Sequence, residues 1–130
     1  PAQEGYEQVD FETLLTQSDI ISVHAPLNEH TEGLINSKAF EKMKSSCIFL
    51  NLGRGPIVDE QALYSALVRN QIAAAGLDVL CEEPMSADNP LLKIKDSKRM
   101  LITPHIAWAS VEARTHLMEI IHGQVKDFFA

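Results

Sequence analysis

The sequence predicts an α/β fold built on a mostly parallel β-sheet with helices over both faces. Three observations carry that prediction. Four short apolar runs, residues 20–24, 47–50, 72–79 and 99–103, are rich in β-branched, aromatic or small side chains. Segments with helical apolar spacing fall between most of them, and strands that alternate with helices form parallel βαβ units. Each run also stops at residues that end a strand or turn the chain: His24-Ala25-Pro26, Asn51 to Gly55, Asp78, and Thr103-Pro104-His105.

Taken in order, residues 1–10 are polar, carry Gly5 and read as loop. Asp10 is an N-cap for a short helix over 11–16, because a carboxylate accepts the unpaired amides of a first turn. Ser18-Asp19 leads into the first strand, 20–24, which Pro26 closes because it has no N–H for a ladder. A polar loop, 27–33, follows. Asn36 and Ser37 offer caps for a helix over 38–43 that ends at Lys44-Ser45-Ser46. The second strand, 47–50, shows no polar alternation and reads as buried on both faces.

That strand delivers Asn51-Leu52-Gly53-Arg54-Gly55-Pro56-Ile57-Val58-Asp59-Glu60, the stretch around which the chain is organised. Gly53 and Gly55 lack Cβ, so the backbone turns tightly there and a neighbour can approach closely. Pro56 stiffens the exit, and Asp59-Glu60 put carboxylates at the positive end of the next helix. Ala62, Leu63, Ala66 and Leu67 keep helical spacing, with Asn70 as the stop. The third strand, 72–79, is rich in small residues, which implies a helix packed closely over it. Residues 81–98 form an irregular, proline-bearing excursion, and Pro104 ends the fourth strand, 99–103. From Ser110 a longer helix runs to the terminus with an apolar stripe of Val111, Leu117, Ile120, Ile121, Val125 and Phe128. Neither an internal repeat nor a low-complexity segment occurs.

The bulk properties narrow the function. At 130 residues the chain suits one domain or part of one. Hydrophobic content of 45% with 22% charged residues is ordinary for an ordered globular chain. A net charge of −7, from 18 acidic and 11 basic residues with no basic run, argues against nucleic acid and anionic membrane as partners. Cys47 and Cys81 lack C-x-x-C spacing and read as buried free thiols of a reducing cytosol. No apolar stretch approaches the roughly 20 residues that span a bilayer, and no basic-then-apolar leader opens the chain. The first residue is Pro1 and the last lies inside an amphipathic pattern, so a piece of a longer protein is expected. No metal is expected, since His116 and His122 are six apart and off a common helix face.

In a parallel sheet every carboxyl end lies on one edge, where open α/β folds bind ligands. Arg54, Asp78, the pair Glu82-Glu83 and His105 therefore converge. An arginine fork grips a carboxylate or polarises a carbonyl. A histidine exchanges protons near neutral pH, and a carboxylate beside it fixes its ring. On local pattern alone, a strand-to-helix turn with a solvent-facing arginine is an equal reading.

The residues resemble the D-isomer-specific 2-hydroxyacid dehydrogenases. The resemblance covers almost the whole chain: Ser18-Asp19 before His24-Ala25-Pro26-Leu27, then Thr31 to Asn36, the arginine stretch Asn51 to Glu60, Leu77-Asp78-Val79-Leu80-Cys81-Glu82-Glu83-Pro84, and Thr103-Pro104-His105-Ile106. It implies the later part of a Rossmann-like, doubly wound NAD-binding domain over 1–108, and a helix over 109–130 leading back toward a substrate domain the sequence lacks. Arg54 would bind the substrate carboxylate and carbonyl, His105 would be the general acid or base, and Glu83, rather than Glu82, its carboxylate partner. Asp78 would hold the nicotinamide carboxamide, while His24, Ala25, Pro26, Leu52, Gly53, Arg54, His105, Ala107 and Trp108 would line the cofactor.

Ala107-Trp108-Ala109-Ser110 with Glu112-Ala113-Arg114 most resembles the glycerate dehydrogenase, or hydroxypyruvate reductase, branch. The implied activity is hydride transfer between NAD(H) and a small D-2-hydroxy or 2-oxo acid, hydroxypyruvate or glyoxylate before D-lactate or phosphoglycerate. A cytoplasmic homodimer is implied as well. An NAD(H)-sensing corepressor of the same superfamily is the alternative. A formate enzyme fits less well, because that branch places glutamine where Glu83 stands. The Gly-rich loop G-x-G-x-x-G and the acidic residue about 20 positions later, which grip a dinucleotide, are absent from the sequence. The segment by itself is therefore expected to be inactive, and NAD is not distinguished from NADP.

Overall fold

The computed structural model describes residues 5–96 and 98–129. Residues 1–4, 97 and 130, which fall in the expected first loop, the irregular excursion and the last helix, lie outside them. Four helices begin at the caps read from the sequence. In α1 (Phe11–Gln17) Asp10 accepts the Thr13 amide at 2.7 Å. In α2 (Ser37–Lys42) Asn36 Oδ1 accepts the amides of Lys38 and Ala39. Asp59 caps α3 (Glu60–Val68) through Ala62, and Ser110 caps α4 (Val111–Phe128) through Ala113. Asn70, just beyond α3, takes φ 56°, the left-handed conformation that ends helices and that asparagine tolerates.

The strands β1 (Ile20–Val23), β2 (Ile48–Asn51), β3 (Ala74–Leu77) and β4 (Met100–Ile102) form one parallel sheet in that order. Val23, Asn51, Leu77 and Ile102 stand in register. The ladder runs one residue further: Leu52 donates to Val23 at 3.1 Å, Asp78 to Asn51 at 2.9 Å and Thr103 to Leu77 at 2.9 Å. His24, Leu52, Asp78 and Thr103 are thus level along one edge.

Right-handed crossovers that all step in the same direction put their connections on the same side of a sheet. The connections α2, α3 and the 3-10 turn Pro90–Lys93 accordingly lie side by side over one face, and α1, which precedes β1, packs beside α2. Leu15, Phe40, Leu63, Leu67 and Leu91 pack there against Ile21, Phe49 and Ala75. Phe40 meets Phe49 edge to face, with centroids 5.4 Å apart.

The opposite face differs from expectation. Among the described residues it is uncovered: Ile20, Ile48 and Leu101 are 60%, 40% and 63% exposed. The α/β parallel architecture stands, with helices on one side. The strand β2 therefore alternates in burial, although its sequence reads as apolar throughout. The small residues of β3 serve both faces: Ala75 packs under the helical layer as expected, and on the open face a Cβ on Gly76 would lie 2.9 Å from Leu50 Cδ2 of the neighbouring strand. In α4 no residue is buried, and its apolar stripe faces solvent.

Candidate active site

At the end of β2 the buried Asn51 shapes the arginine turn. Its Oδ1 accepts the Gly53 amide at 3.1 Å and its Nδ2 donates to the Arg54 carbonyl at 3.0 Å. The 3-10 turn Gly55–Ile57 follows, with Pro56 fixing φ at its middle residue. Arg54 itself is exposed, and its Nη1 donates to the Gly53 carbonyl at 2.8 Å, so the fork lies back on its own turn. It lines a cleft of about 470 Å³ with His24, Ala25, Pro26, Leu52 and Gly53. The His24 Nε2 is 2.8 Å from Ser22 Oγ.

The ends of β3 and β4 are tied together much more tightly. Asp78 is 3% exposed. Its Oδ1 accepts Thr103 Oγ1–H at 2.6 Å and the Ile106 amide at 2.9 Å, and its Oδ2 accepts the Ala107 amide at 2.9 Å. Burial pushes this carboxyl up, but the three donors and nearby His105 outweigh it and hold Asp78 below the usual carboxylate range. The loop so pinned carries His105 at φ 55°, a left-handed backbone uncommon outside glycine. The His105 amide donates to Thr103 at 3.0 Å, and Trp108 Nε1 donates to the His105 carbonyl at 2.8 Å.

Glu83 completes this half. Its Oε1 accepts the Leu80 amide and its Oε2 meets His105 Nδ1, both at 2.9 Å. The Leu80 amide first, then the hydrogen bond to His105, lower its carboxyl against burial and the charge of Asp78. Glu83 is therefore an acceptor, His105 Nδ1 carries the proton between them, and Nε2 is the nitrogen left for a substrate. A cavity of about 420 Å³, the size of a small-molecule site, is lined by Asp78, Glu83 and His105 with apolar Leu80, Met85 and Ile102.

The structure thus brings Asp78, Glu83, His105 and the Ala107 backbone together, and sets Arg54 with the 24–26 and 52–53 residues in an adjoining cleft. Gly55 joins the two halves: a Cβ there would lie 1.9 Å from the Leu80 carbonyl oxygen, so only glycine lets the arginine turn press on the acidic loop. Trp108 is 60% exposed and lines neither cavity. Glu82 is exposed, and the hydrogen bond and ion pair of His105 go to Glu83 instead. Cys81 departs from the buried position expected of it, because it lies on the exposed loop after β3. Its Sγ nevertheless turns inward, 3.6 Å from the Val58 carbonyl, and this local burial, then the charge of Glu60, pushes the thiol to about 11, far from a thiolate.

The sequence gives no site task to Asn51 or Thr103, and none to Glu60 beyond the helix dipole. Asn51 carries a readable signal, since it occupies the inward position two after Phe49, where a polar side chain must have partners. Thr103 and Glu60 carry none, because their partners are far away in sequence. Among the described residues no group of His, Cys, Asp and Glu could hold a metal ion, and no helix is long and apolar enough to cross a membrane.

An imidazole oriented by a carboxylate, with a guanidinium two strands away on the same sheet edge, can pass a proton to the oxygen of a small bound acid. The comparisons with known proteins bear on the same chemistry. The family described as "D-isomer specific 2-hydroxyacid dehydrogenase, NAD binding domain" matches residues 1–107. Hydroxypyruvate reductase of Blautia hydrogenotrophica is 46% identical over 125 residues, 96% of this chain and 38% of that protein. D-3-phosphoglycerate dehydrogenase of Archaeoglobus fulgidus is 50% identical over 119 residues, 92% of this chain and 22% of that protein. Among solved structures, an acyclic imino acid reductase in complex with NADPH and D-Arg superimposes with a TM-score of 0.87 at 37% identity, covering 99% of this chain and 40% of that one. The chain thus spans well under half the length of the proteins it matches.

Proposed function

Because the chain belongs to the D-isomer-specific 2-hydroxyacid dehydrogenase family, in its NAD-binding domain, we propose that the polypeptide carrying it transfers a hydride between NAD(H) and a small 2-oxo or D-2-hydroxy acid. Hydroxypyruvate or glyoxylate is the first candidate, with lactate and phosphoglycerate as other family specificities. The observation that carries this reading is the 2.9 Å contact from Glu83 to His105 Nδ1, which leaves Nε2 unengaged by Glu83 in a residue that lines a cavity at the carboxyl edge of a parallel sheet.

The residues present fit one end of the cofactor. Asp78 is a buried carboxylate whose Oδ2 takes one protein donor, so it keeps acceptor capacity for an amide N–H. The cleft at the ends of β1 and β2 offers a surface for the ring, and His24, Ala25, Pro26, Leu52, Gly53 and Ala107 are its proposed lining. Trp108 is a rim residue in this reading. When bound, the reduced nicotinamide supplies the hydride.

This chain's own residues handle the charge and the proton. The Arg54 fork matches a carboxylate in two parallel hydrogen bonds and draws charge from the adjacent carbonyl oxygen. His105 gives its Nε2 proton to that oxygen in reduction and takes it back in oxidation. Glu83 stays ionised throughout and stabilises the imidazolium. In this proposal residues 109–130 lead toward a substrate domain, and the apolar row of α4 (Leu117, Ile121, Val125 and Phe128), open to solvent here, supports a contact of that kind. A cytoplasmic homodimer belongs to the same reading, and two unpaired thiols agree with a reducing compartment.

The test is loss of reduced-nicotinamide absorbance when the intact polypeptide meets a panel of 2-oxo acids and their imines. Turnover of a three-carbon or two-carbon 2-oxo acid is expected. No turnover, with NADH-dependent self-association instead, would overturn the enzyme reading in favour of a sensor.

A further inference from the structure

Glu60 sits in the first turn of α3, where a carboxylate needs no task beyond the helix dipole, yet both of its oxygens are committed to other segments. Oε1 accepts the Cys81 amide at 2.8 Å, and Oε2 accepts Asn89 Nδ2–H at 2.7 Å. Asn89 is 8% exposed, and its other atom, Oδ1, accepts the Leu91 amide at 2.9 Å as the cap of the Pro90–Lys93 turn. One carboxylate therefore holds the loop after β3 at two points eight residues apart. Between those points stands Glu83, which takes the Leu80 amide next to Cys81 and meets His105.

We infer that Glu60 is a positioning residue: it clamps the 81–89 loop so that Glu83 meets His105 at hydrogen-bond distance. The inference rests on the hydride-transfer reading above for its kinetic consequence, but not for its geometry. The Leu80 carbonyl beside the clamp presses on Gly55, so the arginine turn, the start of α3 and the acidic loop form one body. Releasing the loop would let the imidazole lose its partner, and a displacement near 1 Å at a reacting group costs on the order of tenfold to a hundredfold in rate.

The clamp has a polarity that a variant can reverse. Asn89 must keep its oxygen toward the Leu91 amide, so it can only donate to residue 60. In Glu60→Gln, a glutamine oxygen on the Cys81 amide turns its NH₂ against the Asn89 NH₂, two donors facing. In Asn89→Asp, two carboxylates face each other. The double variant Glu60→Gln/Asn89→Asp restores every partner with the direction of one hydrogen bond reversed.

In the intact polypeptide each single variant should lose about tenfold in kcat with NADH affinity within about twofold, and the double variant should recover most of it. The downfield proton signal of the His105 Nδ1–H bond should weaken in the singles and return in the double. Three results would overturn the assignment: singles with wild-type kcat and signal, a double variant no better than the singles, or singles whose NADH affinity and Tm fall together with kcat. If the parent polypeptide reduces no 2-oxo acid, the activity reading fails and the Nδ1–H signal alone decides the role of Glu60.

Discussion

The two halves of the carboxyl edge are built to different tolerances. At β3 and β4, Asp78 takes three protein donors, Glu83 takes a backbone amide and an imidazole, and the indole of Trp108 ties down the His105 carbonyl. At β1 and β2, Asn51 fixes the backbone of the arginine turn, but among the described residues the Arg54 fork donates only to the carbonyl of the residue before it. In the proposed mechanism the half that handles the proton is assembled in advance, and the half that would bind the anion has a rigid base and a side chain left to its ligand. Preorganisation matters most where a proton must travel along one line. A guanidinium that meets its partner through two parallel hydrogen bonds orients itself on contact.

The largest expected effect tests the rigid half. His105→Ala in the intact polypeptide should cut kcat by about 10² to 10⁴ while NADH affinity holds, read by single-turnover absorbance and by titration. A near-normal rate would remove the proton role. Next comes the loose half. Arg54→Gln should lower kcat/KM by about 10² to 10³ through lost charge stabilisation and leave Tm unchanged, because the fork supports only its own turn. A marked fall in Tm would break the contrast between the halves.

The seam between them is tested by Gly55→Ala, which should destabilise by about 2–3 kcal/mol through backbone overpacking on Leu80, measured by denaturant unfolding. The smallest effect is acid sensitivity. Asp78 and Glu83 both have carboxyls lowered in the folded state, so the stability they add is full above their unfolded values, about 3.9 and 4.3, and is lost as pH falls through the lower folded ones. Tm should therefore drop below about pH 4. Asp78→Asn should flatten that drop, whereas Arg54→Gln should leave it alone.

Much of this was legible in the sequence because it is local. Asp10, Asn36, Asp59 and Ser110 cap helices with their own side chains within three residues, and strand ends follow from Pro26, Gly53 and Pro104. The pairing of Glu83 with His105 spans 22 residues and came from the resemblance to a family, since spacing alone left Glu82 as good a partner. The uncovered sheet face was not legible, because apolar residues such as Ile48 and Leu101 look alike whether a helix covers them or not. Nor was Glu60: a glutamate in a first helical turn is explained by the dipole, and nothing local announces partners 21 and 29 residues away.

The backbone at His105 is twisted against the handedness that L-amino acids favour, at a cost of about 1–2 kcal/mol. A spring held under load stores its direction as well as its force: when the tether is cut, it unwinds one way. An alanine at this position removes the ring but keeps the torsion, so the load still bears on the carboxylate of Asp78. An asparagine, more at ease in that conformation, removes the ring and eases the load. The difference in stability between those two replacements therefore weighs the spring separately from the chemistry it aims.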